Sequence, residues 1–173
     1  MAIDELLRAN HLSPSFSRPP APEQRKTMYL HAGHMFSAAE SHEVTTILGS
    51  CVSVCITDPV AGVGGVNHYM LPWDIGNEHG NPRFATFAIQ HLIDDVVALG
   101  ARPIRLQAKI FGGACVLREF QQSGNDLGLR NVEAAHRLVG AAAIPIILED
   151  VGGTHGRKLV YRTDDGWFSL KRL

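Results

Sequence analysis

Two residue types that together can perform nucleophilic catalysis occur in neighbouring segments of the chain. Cys51 lies within residues 48–54 and His68 lies within residues 66–72. A cysteine thiol has a free pKa of about 8.5, so only a few per cent of it is thiolate at neutral pH. An imidazole within reach takes the thiol proton and stabilises the resulting anion. The two residues therefore predict acyl-transfer chemistry, with Cys51 as the nucleophile and His68 as the base.

The sequence between these residues predicts how they meet. A turn motif of Asp, Pro and Gly at 58–62 separates two β-prone runs, 52–57 and 65–71. An antiparallel hairpin that turns near the start of this motif places Cys51 directly opposite His68. Directly opposite residues have Cβ atoms roughly 4.5–5.5 Å apart, which suits proton transfer. A slip of one residue would place the two side chains on opposite faces of the sheet.

Small and polar residues near the nucleophile supply further candidates. Gly49 and Ser50 lack bulk, so backbone N–H groups beside the cysteine could bind an oxyanion. Thr45, six residues before the cysteine, could orient the histidine through its hydroxyl or its carbonyl. Gly112 and Gly113 follow another β-prone run, where they either form a tight turn or let a substrate backbone approach.

The elements that must position these residues are mostly strands. Helical spacing of apolar residues predicts helices over 85–99 and 127–142. β-prone runs predict strands at 26–39, 44–48, 52–57, 65–71, 104–111, 145–149, 158–162 and 167–171. Because strand and helix do not alternate regularly, we expect an α/β fold: a single-domain sandwich of mostly antiparallel β-sheet covered by two main helices.

Composition sets the class of protein. Prolines among the first residues predict a flexible N-terminal arm over 1–25, followed by one domain over 26–173. With 16 basic and 17 acidic residues, the chain lacks the positive charge that nucleic-acid binding usually needs. No apolar run is long enough to span a bilayer, and the N-terminus lacks the apolar core of a signal peptide. These features predict a cytoplasmic protein that binds no nucleic acid and does not insert into a membrane.

The remaining cysteines and histidines predict neither a disulfide nor a metal site. On one strand, Cys51 and Cys55 would lie roughly 13 Å apart, beyond disulfide reach. Cys55 and Cys115 are therefore interpreted as packing residues. His31 and His34 have an odd spacing that would point them to opposite faces of a strand, and no metal-binding motif accompanies them. We expect no metal and no organic cofactor.

Several stretches, taken in order, resemble the CheD family of chemoreceptor glutamine deamidases. They are LGSCVSVC at 48–55, GGVNHYMLP at 64–72, AKIFGGA at 108–114, GLRNV at 128–132, DVGG at 150–153 and GR at 156–157. The resemblance extends from about residue 26 to the C-terminus. It implies that the family's nucleophilic cysteine corresponds to Cys51, its histidine to His68 and its threonine to Thr45.

The resemblance also implies an activity and partners. The expected enzyme is a protein-glutamine glutaminase, an amidohydrolase that converts glutamine side chains of methyl-accepting chemotaxis receptors to glutamate through a thioester. Receptors are then the protein substrate, and a CheC-type phosphatase is a possible partner.

Two other functions remain open from the sequence. One is a regulatory binding module that contacts receptors or a CheC-type phosphatase without catalysis. The other is a general cysteine peptidase or transglutaminase, which uses the same type of nucleophile. Loss of activity but not of binding in a Cys51→Ala variant would separate an enzyme from the binding module.

Overall fold

The computed structural model describes residues 25–74, 76, 80–115 and 126–173. All but the last residue of the predicted N-terminal arm lie outside these ranges. Within them the chain forms nine strands and two α-helices: β1 (Lys26–Tyr29), β2 (His34–Ala38), β3 (His42–Leu48), β4 (Val52–Asp58), β5 (Val63–His68), α1 (Ala85–Ala98), β6 (Gln107–Gly112), α2 (Leu127–Ala141), β7 (Ile146–Val151), β8 (Arg157–Arg162) and β9 (Phe168–Arg172).

The strands form two sheets. One has the order β1-β3-β8-β9 and the other the order β2-β5-β4-β6-β7. Pairing is antiparallel except between β1 and β3 and between β6 and β7. Both helices pack on the five-stranded sheet and against each other. The α/β sandwich expected from the sequence, with mostly antiparallel sheet and two covering helices, is confirmed.

Neither of the described helices has the length and apolar character needed to cross a membrane.

Two apolar clusters fill the spaces between these layers. Helix residues such as Leu92 and Val139 pack with Val54 on one face of the five-stranded sheet. Cys55 and Phe111 face the four-stranded sheet on the other side. Strand β4 is buried over its whole length, because its side chains alternate between the two clusters. Cys51 immediately precedes this central strand and packs against the cluster between the sheets.

The structure corrects the predicted strand at 26–39. A turn at Ala32–Gly33 divides it into β1 and β2, which belong to different sheets. Gly33 has a φ of 77°, and its N–H donates to the carbonyl of His68 at 2.7 Å. Because of this turn, the rings of His31 and His34 meet edge to face, with centroids 6.4 Å apart. The expectation that these two histidines point to opposite faces was therefore wrong.

The strand predicted at 104–111 also begins later than expected. Pro103–Arg105 forms a 3-10 turn, so β6 starts at Gln107. The Arg105 guanidinium in this turn binds the Asp58 carboxylate at the end of β4, with a shortest distance of 2.7 Å. This contact ties the turn to the hairpin that carries the candidate site.

Candidate active site

The register of the β4–β5 hairpin differs from the predicted one. Asp58 pairs with Val63, so the loop between the strands includes all of residues 59–62. The same register continues to the bridge between Val52 and Tyr69, which places His68 opposite residue 53 rather than Cys51. The partner has moved by two residues, and an even shift leaves side chains on the same face. Cys51 and His68 therefore both point into the space between the sheets.

The turn chemistry explains this register. The Asp58 carboxylate accepts hydrogen bonds from the N–H groups of Val60 and Ala61, at 3.0 and 3.1 Å. Gly62 adopts a φ of 67°, and its N–H donates to the Asp58 carbonyl at 3.0 Å. A glycine at this positive φ allows a loop that is two residues longer than the one in the predicted hairpin. The structure thus places the hairpin axis later in the chain than the sequence interpretation did.

A hydrogen-bond chain fixes the His68 imidazole. The Thr46 hydroxyl donates to the Leu30 carbonyl at 2.8 Å, and the same oxygen lies 2.7 Å from His68 Nδ1. A hydroxyl has one proton to give, so Nδ1–H must be the donor in the second bond. The tautomer inferred from this network leaves the Nε2 lone pair free to accept a proton.

The contact with His68 comes from Thr46 and not from the predicted Thr45. Along β3, residues 44, 46 and 48 are buried while the residues between them are more exposed. Alternation along the strand therefore directs the Thr46 side chain into the space between the sheets and the Thr45 side chain to the outer face. The Thr45 carbonyl is also engaged, because it accepts a hydrogen bond from the N–H of Leu30 at 2.8 Å.

Burial keeps both members of the pair uncharged in the free protein. Desolvation lowers the pKa of His68 to about 4, helped by the nearby His34 and opposed by the Leu30 carbonyl. Desolvation also raises the pKa of the Cys51 thiol, although its own backbone N–H works in the opposite direction. At neutral pH the resting pair is therefore thiol and neutral imidazole, and proton transfer must accompany attack on a substrate.

Asn131 of α2 holds the loop that carries the nucleophile. Its Nδ2 donates to the carbonyl oxygens of Ser50 and Met70, each at 2.9 Å. The backbone carbonyl of Asn131 accepts a hydrogen bond from the Tyr69 hydroxyl at 2.6 Å. In a trans peptide, fixing the Ser50 carbonyl also fixes the direction of the Cys51 N–H. That N–H lowers the pKa of the Cys51 thiol, and a donor so close to the sulfur can also reach the carbonyl oxygen of a group that the sulfur attacks.

The predicted glycines support the nucleophile loop directly. The Gly113 N–H donates to the Cys51 carbonyl at 2.8 Å, and the Ala114 N–H donates to the Gly49 carbonyl at 2.8 Å. A Cβ at Gly112 would lie 2.3 Å from the Cys51 carbonyl oxygen. The backbone that approaches these glycines so closely is that of Cys51 itself, and the Gly113 N–H is already engaged there.

The structure thus gathers Cys51, His68, Gly49, Ser50 and the glycine pair at 112–113 at one end of the sandwich. Sequence reasoning missed two residues that act on them. Thr46 could have been found from the alternation of β3, and Asn131 from its place among apolar residues on the buried face of α2.

The other cysteines and the candidate metal ligands lie apart from this chemistry. Cys55 is buried and, like Cys51 and Cys115, is not disulfide-bonded. Within the described part of the chain, no three His, Cys, Asp or Glu side chains are grouped so as to hold a metal ion.

Comparison with known proteins identifies the family. The family model CheD, described as chemotactic sensory transduction, matches residues 70–172. A protein of Anaeromyxobacter dehalogenans named probable chemoreceptor glutamine deamidase CheD 1 is 47% identical over 161 residues, which are 93% of either chain. The chain belongs to the CheD family. The resemblance that the motifs suggested is confirmed.

Other relatives have the same name. A probable chemoreceptor glutamine deamidase CheD of Stenotrophomonas maltophilia is 42% identical over 75% of this chain and 65% of its own length. Among solved structures, Neisseria meningitidis protein NMB0706 of the DUF152 family covers 75% of this chain and 65% of its own, with 9% identity and a TM-score of 0.39. A likeness that weak supports no argument about fold or function.

Proposed function

We propose that this protein is a chemoreceptor glutamine deamidase that uses Cys51 as its nucleophile and His68 as its base. One observation carries the proposal. The hydrogen bonds from His68 to Thr46 and from Thr46 to Leu30 leave Nε2 of the His68 ring unprotonated, and this ring faces the space into which Cys51 also points. The names of the relatives supply the reaction class.

The first half of the reaction forms a thioester. As the Cys51 sulfur attacks the carboxamide carbon of a glutamine, its proton moves to Nε2 of His68. The carbonyl oxygen becomes an oxyanion, which the N–H of Cys51 is placed to stabilise. The protonated imidazole then gives its proton to the amide nitrogen, the carbon–nitrogen bond breaks, and ammonia leaves.

The second half regenerates the enzyme. Water attacks the thioester carbon while His68 accepts one of its protons. The carbon–sulfur bond breaks, the thiolate recovers the proton from His68, and glutamate is released. No step requires a metal or an organic cofactor. Thr46 has the same role in both halves, since its oxygen stabilises the Nδ1–H as the ring becomes positively charged.

The proposed substrate is the cytoplasmic part of a methyl-accepting chemotaxis receptor. The relatives' names support this class of substrate. Contact with a CheC-type phosphatase stays a prediction from the resemblance.

Mass spectrometry of a receptor cytoplasmic fragment after incubation with the purified protein tests the proposal. We expect a mass gain of about 1 Da at discrete glutamines, the difference between an amide and an acid. Cys51→Ala and His68→Ala should abolish the gain. Cys55→Ala is the matched control, because it removes a thiol that packs in the same cluster four residues further along the chain and should leave conversion intact.

Two outcomes would contradict the proposal. Conversion by Cys51→Ala at the wild-type rate would exclude the thiol as nucleophile. Wild-type protein that binds the fragment without converting any glutamine would favour the binding module. A third outcome, incorporation of an added primary amine in clear preference to water, would indicate a transglutaminase.

A further inference from the structure

One buried hydroxyl next to the candidate site has no hydrogen-bond partner. Ser53 of β4 is 0% exposed, and its Oγ meets no donor or acceptor among the described residues. Burying a hydroxyl without a partner costs free energy that an alanine at the same position would not. Such a group in a native protein needs an explanation, and one recognised explanation is a role in catalysis.

The register of the five-stranded sheet places this hydroxyl beside the candidate base. Val52 and Val54 face the helices, so alternation along β4 directs Ser53 into the space between the sheets. Its partner on β6 is Phe111, which faces the same space. On β5, the register places His68 directly opposite Ser53. Directly opposite residues have Cβ atoms roughly 4.5–5.5 Å apart.

The nucleophile lies on the other side of the same hydroxyl. Cys51 comes two residues before Ser53 and packs against the apolar cluster between the sheets. Residues two apart on an extended chain are roughly 6.6 Å apart and share a face. A serine oxygen and a cysteine sulfur that lean towards each other can close most of this distance. Ser53 is therefore next to both members of the Cys51–His68 pair.

The chemistry of these neighbours explains why the hydroxyl is unpaired in the resting protein. Nδ1 of His68 is engaged by Thr46, and a neutral thiol accepts hydrogen bonds only weakly. A thiolate is a much better acceptor, since hydrogen bonds to an ionised group are roughly twice as strong as neutral ones. A bound substrate is too distant to be the partner, because no part of Ser53 reaches the surface.

We propose that the Ser53 hydroxyl stabilises the charged form of the pair. Once the Cys51 proton has moved to His68, the Ser53 O–H turns and donates to the thiolate sulfur. This inference rests on the proposed function, since it adds a positioning residue to the same pair. Ser53 keeps its own proton throughout, so no covalent bond of the serine forms or breaks. The hydroxyl that destabilises the resting protein is satisfied when the nucleophile becomes charged.

Alkylation of Cys51 by iodoacetamide tests this without requiring turnover, because the thiolate is the reacting form. Mass spectrometry with peptide fragmentation follows Cys51 separately from Cys55. In Ser53→Ala we expect alkylation near neutral pH to be about 10-fold slower and the midpoint of its pH profile to rise by about one pH unit, as the loss of one hydrogen bond to a charged group implies. Deamidation kcat should fall by a similar factor with KM unchanged.

Other titratable groups close to the pair do not confuse this comparison. His34 lies opposite His68 on β2 and acts on the charge of its ring, and Tyr69 is close enough to Cys51 for their charges to interact. Both groups are present in the wild type and in the variant. The difference between the two pH profiles therefore reports the hydroxyl.

Ser37→Ala is the matched control. Phe36 packs against the cluster between the sheets, so alternation along β2 directs Ser37 to the helix side of the same sheet. This variant should react with iodoacetamide at the wild-type rate. Thermal unfolding supplies a second readout. Because the Ser53 hydroxyl has no partner among the described residues, Ser53→Ala should melt no lower than wild type, whereas loss of a structural hydrogen bond would lower the melting temperature.

An unchanged alkylation rate and pH profile in Ser53→Ala would overturn the proposal. A melting temperature well below that of wild type would also overturn it, because the hydroxyl would then serve the fold. An equal loss of thiol reactivity in Ser37→Ala would do the same. Failure of the proposed function looks different, since wild-type protein would then leave receptor glutamines unconverted whatever the reactivity of Cys51.

Discussion

Replacing Thr46 with valine removes one hydroxyl from the site while keeping the shape of the side chain. The variant leaves His68 Nδ1–H and the Leu30 carbonyl without the oxygen that now joins them at 2.7 and 2.8 Å. Thr46 is only 1% exposed, so water cannot readily take its place. An unpaired buried polar group costs about 1–3 kcal/mol. In a domain of this size that corresponds to a melting temperature lower by roughly 2–12 °C.

The loss in catalysis follows from the charge that develops on His68. A hydrogen bond to a charged group contributes about 1.5–3 kcal/mol, more than a bond to the neutral ring. Removing it should therefore reduce kcat by about 10- to 100-fold, since each 1.4 kcal/mol is a factor of ten. KM should change little, because Thr46 lies behind the imidazole and away from the substrate.

The matched control is Thr45→Val, which makes the same change one residue earlier on the outer face of β3. Deamidation of a receptor fragment, followed by mass spectrometry, measures kcat and KM for both variants, and thermal unfolding measures their stability. We expect Thr45→Val to stay within about twofold of wild type, as surface substitutions usually do. Wild-type kcat in Thr46→Val, or a large loss only in Thr45→Val, would refute the assignment of Thr46 as the positioning residue.

Three further predictions concern pH and stability. The pKa of His68 is lowered to about 4 and that of Cys51 is raised, so kcat/KM should be flat from about pH 5 to 8 and fall on the acid side near pH 4. A fall in kcat/KM that begins near neutral pH would contradict the claim that both residues are uncharged in the free enzyme. Hydrogen bonds from a guanidinium and three N–H groups hold the pKa of Asp58 well below its usual range. Its contribution to stability is therefore present above about pH 4 and lost as the pH falls further. Asp58→Asn should lower the free energy of unfolding, measured with urea at pH 7, by about 3 kcal/mol and make that free energy depend less on pH in the acid range. Gly113→Ala should lower both stability and activity, since the added Cβ would lie 2.4 Å from a valine methyl. Gly62 also has a positive φ, but a Cβ there would have no neighbour within 4 Å. Gly62→Ala should therefore lower the free energy of unfolding, measured by thermal unfolding, by only about 1–2 kcal/mol and retain activity.

Local patterns were sufficient for the elements that the site depends on. The alternation of residues 52–57 predicted β4, and helical spacing predicted α1 and α2 to within a residue or so at each end. These segments form what their local sequence favours because burial reinforces the pattern, as in β4, which supplies side chains to two apolar clusters.

Register and chain direction depended on contacts distant in sequence. The β4–β5 turn is fixed partly by Arg105, which lies 47 residues after Asp58, and local turn chemistry contains no sign of it. The break between β1 and β2 depends on the bond from Gly33 to His68. The error in the hairpin register still left Cys51 and His68 on one face of the sheet only because the shift was even.

The threonine assignment shows a different limit. Motif correspondence pointed to Thr45, whereas strand alternation places Thr46 with the inward-facing Val44 and Leu48. Two adjacent threonines make the choice sensitive to a single residue. Asn131 illustrates the reverse case, because its contacts with Ser50 and Met70 depend on the packing of α2 against loops far away in sequence.

The central claim is a covalent thioester on Cys51, and hydroxylamine tests it most directly. This nucleophile competes with water for a thioester, so wild-type protein and a receptor fragment should yield hydroxamate at the reacting glutamines in proportion to hydroxylamine concentration. Cys51→Ala should yield neither hydroxamate nor glutamate, while Cys55→Ala should yield both. Glutamate formed at an undiminished rate with no hydroxamate would mean that water attacks the amide directly, and the account of Cys51 as nucleophile would be wrong.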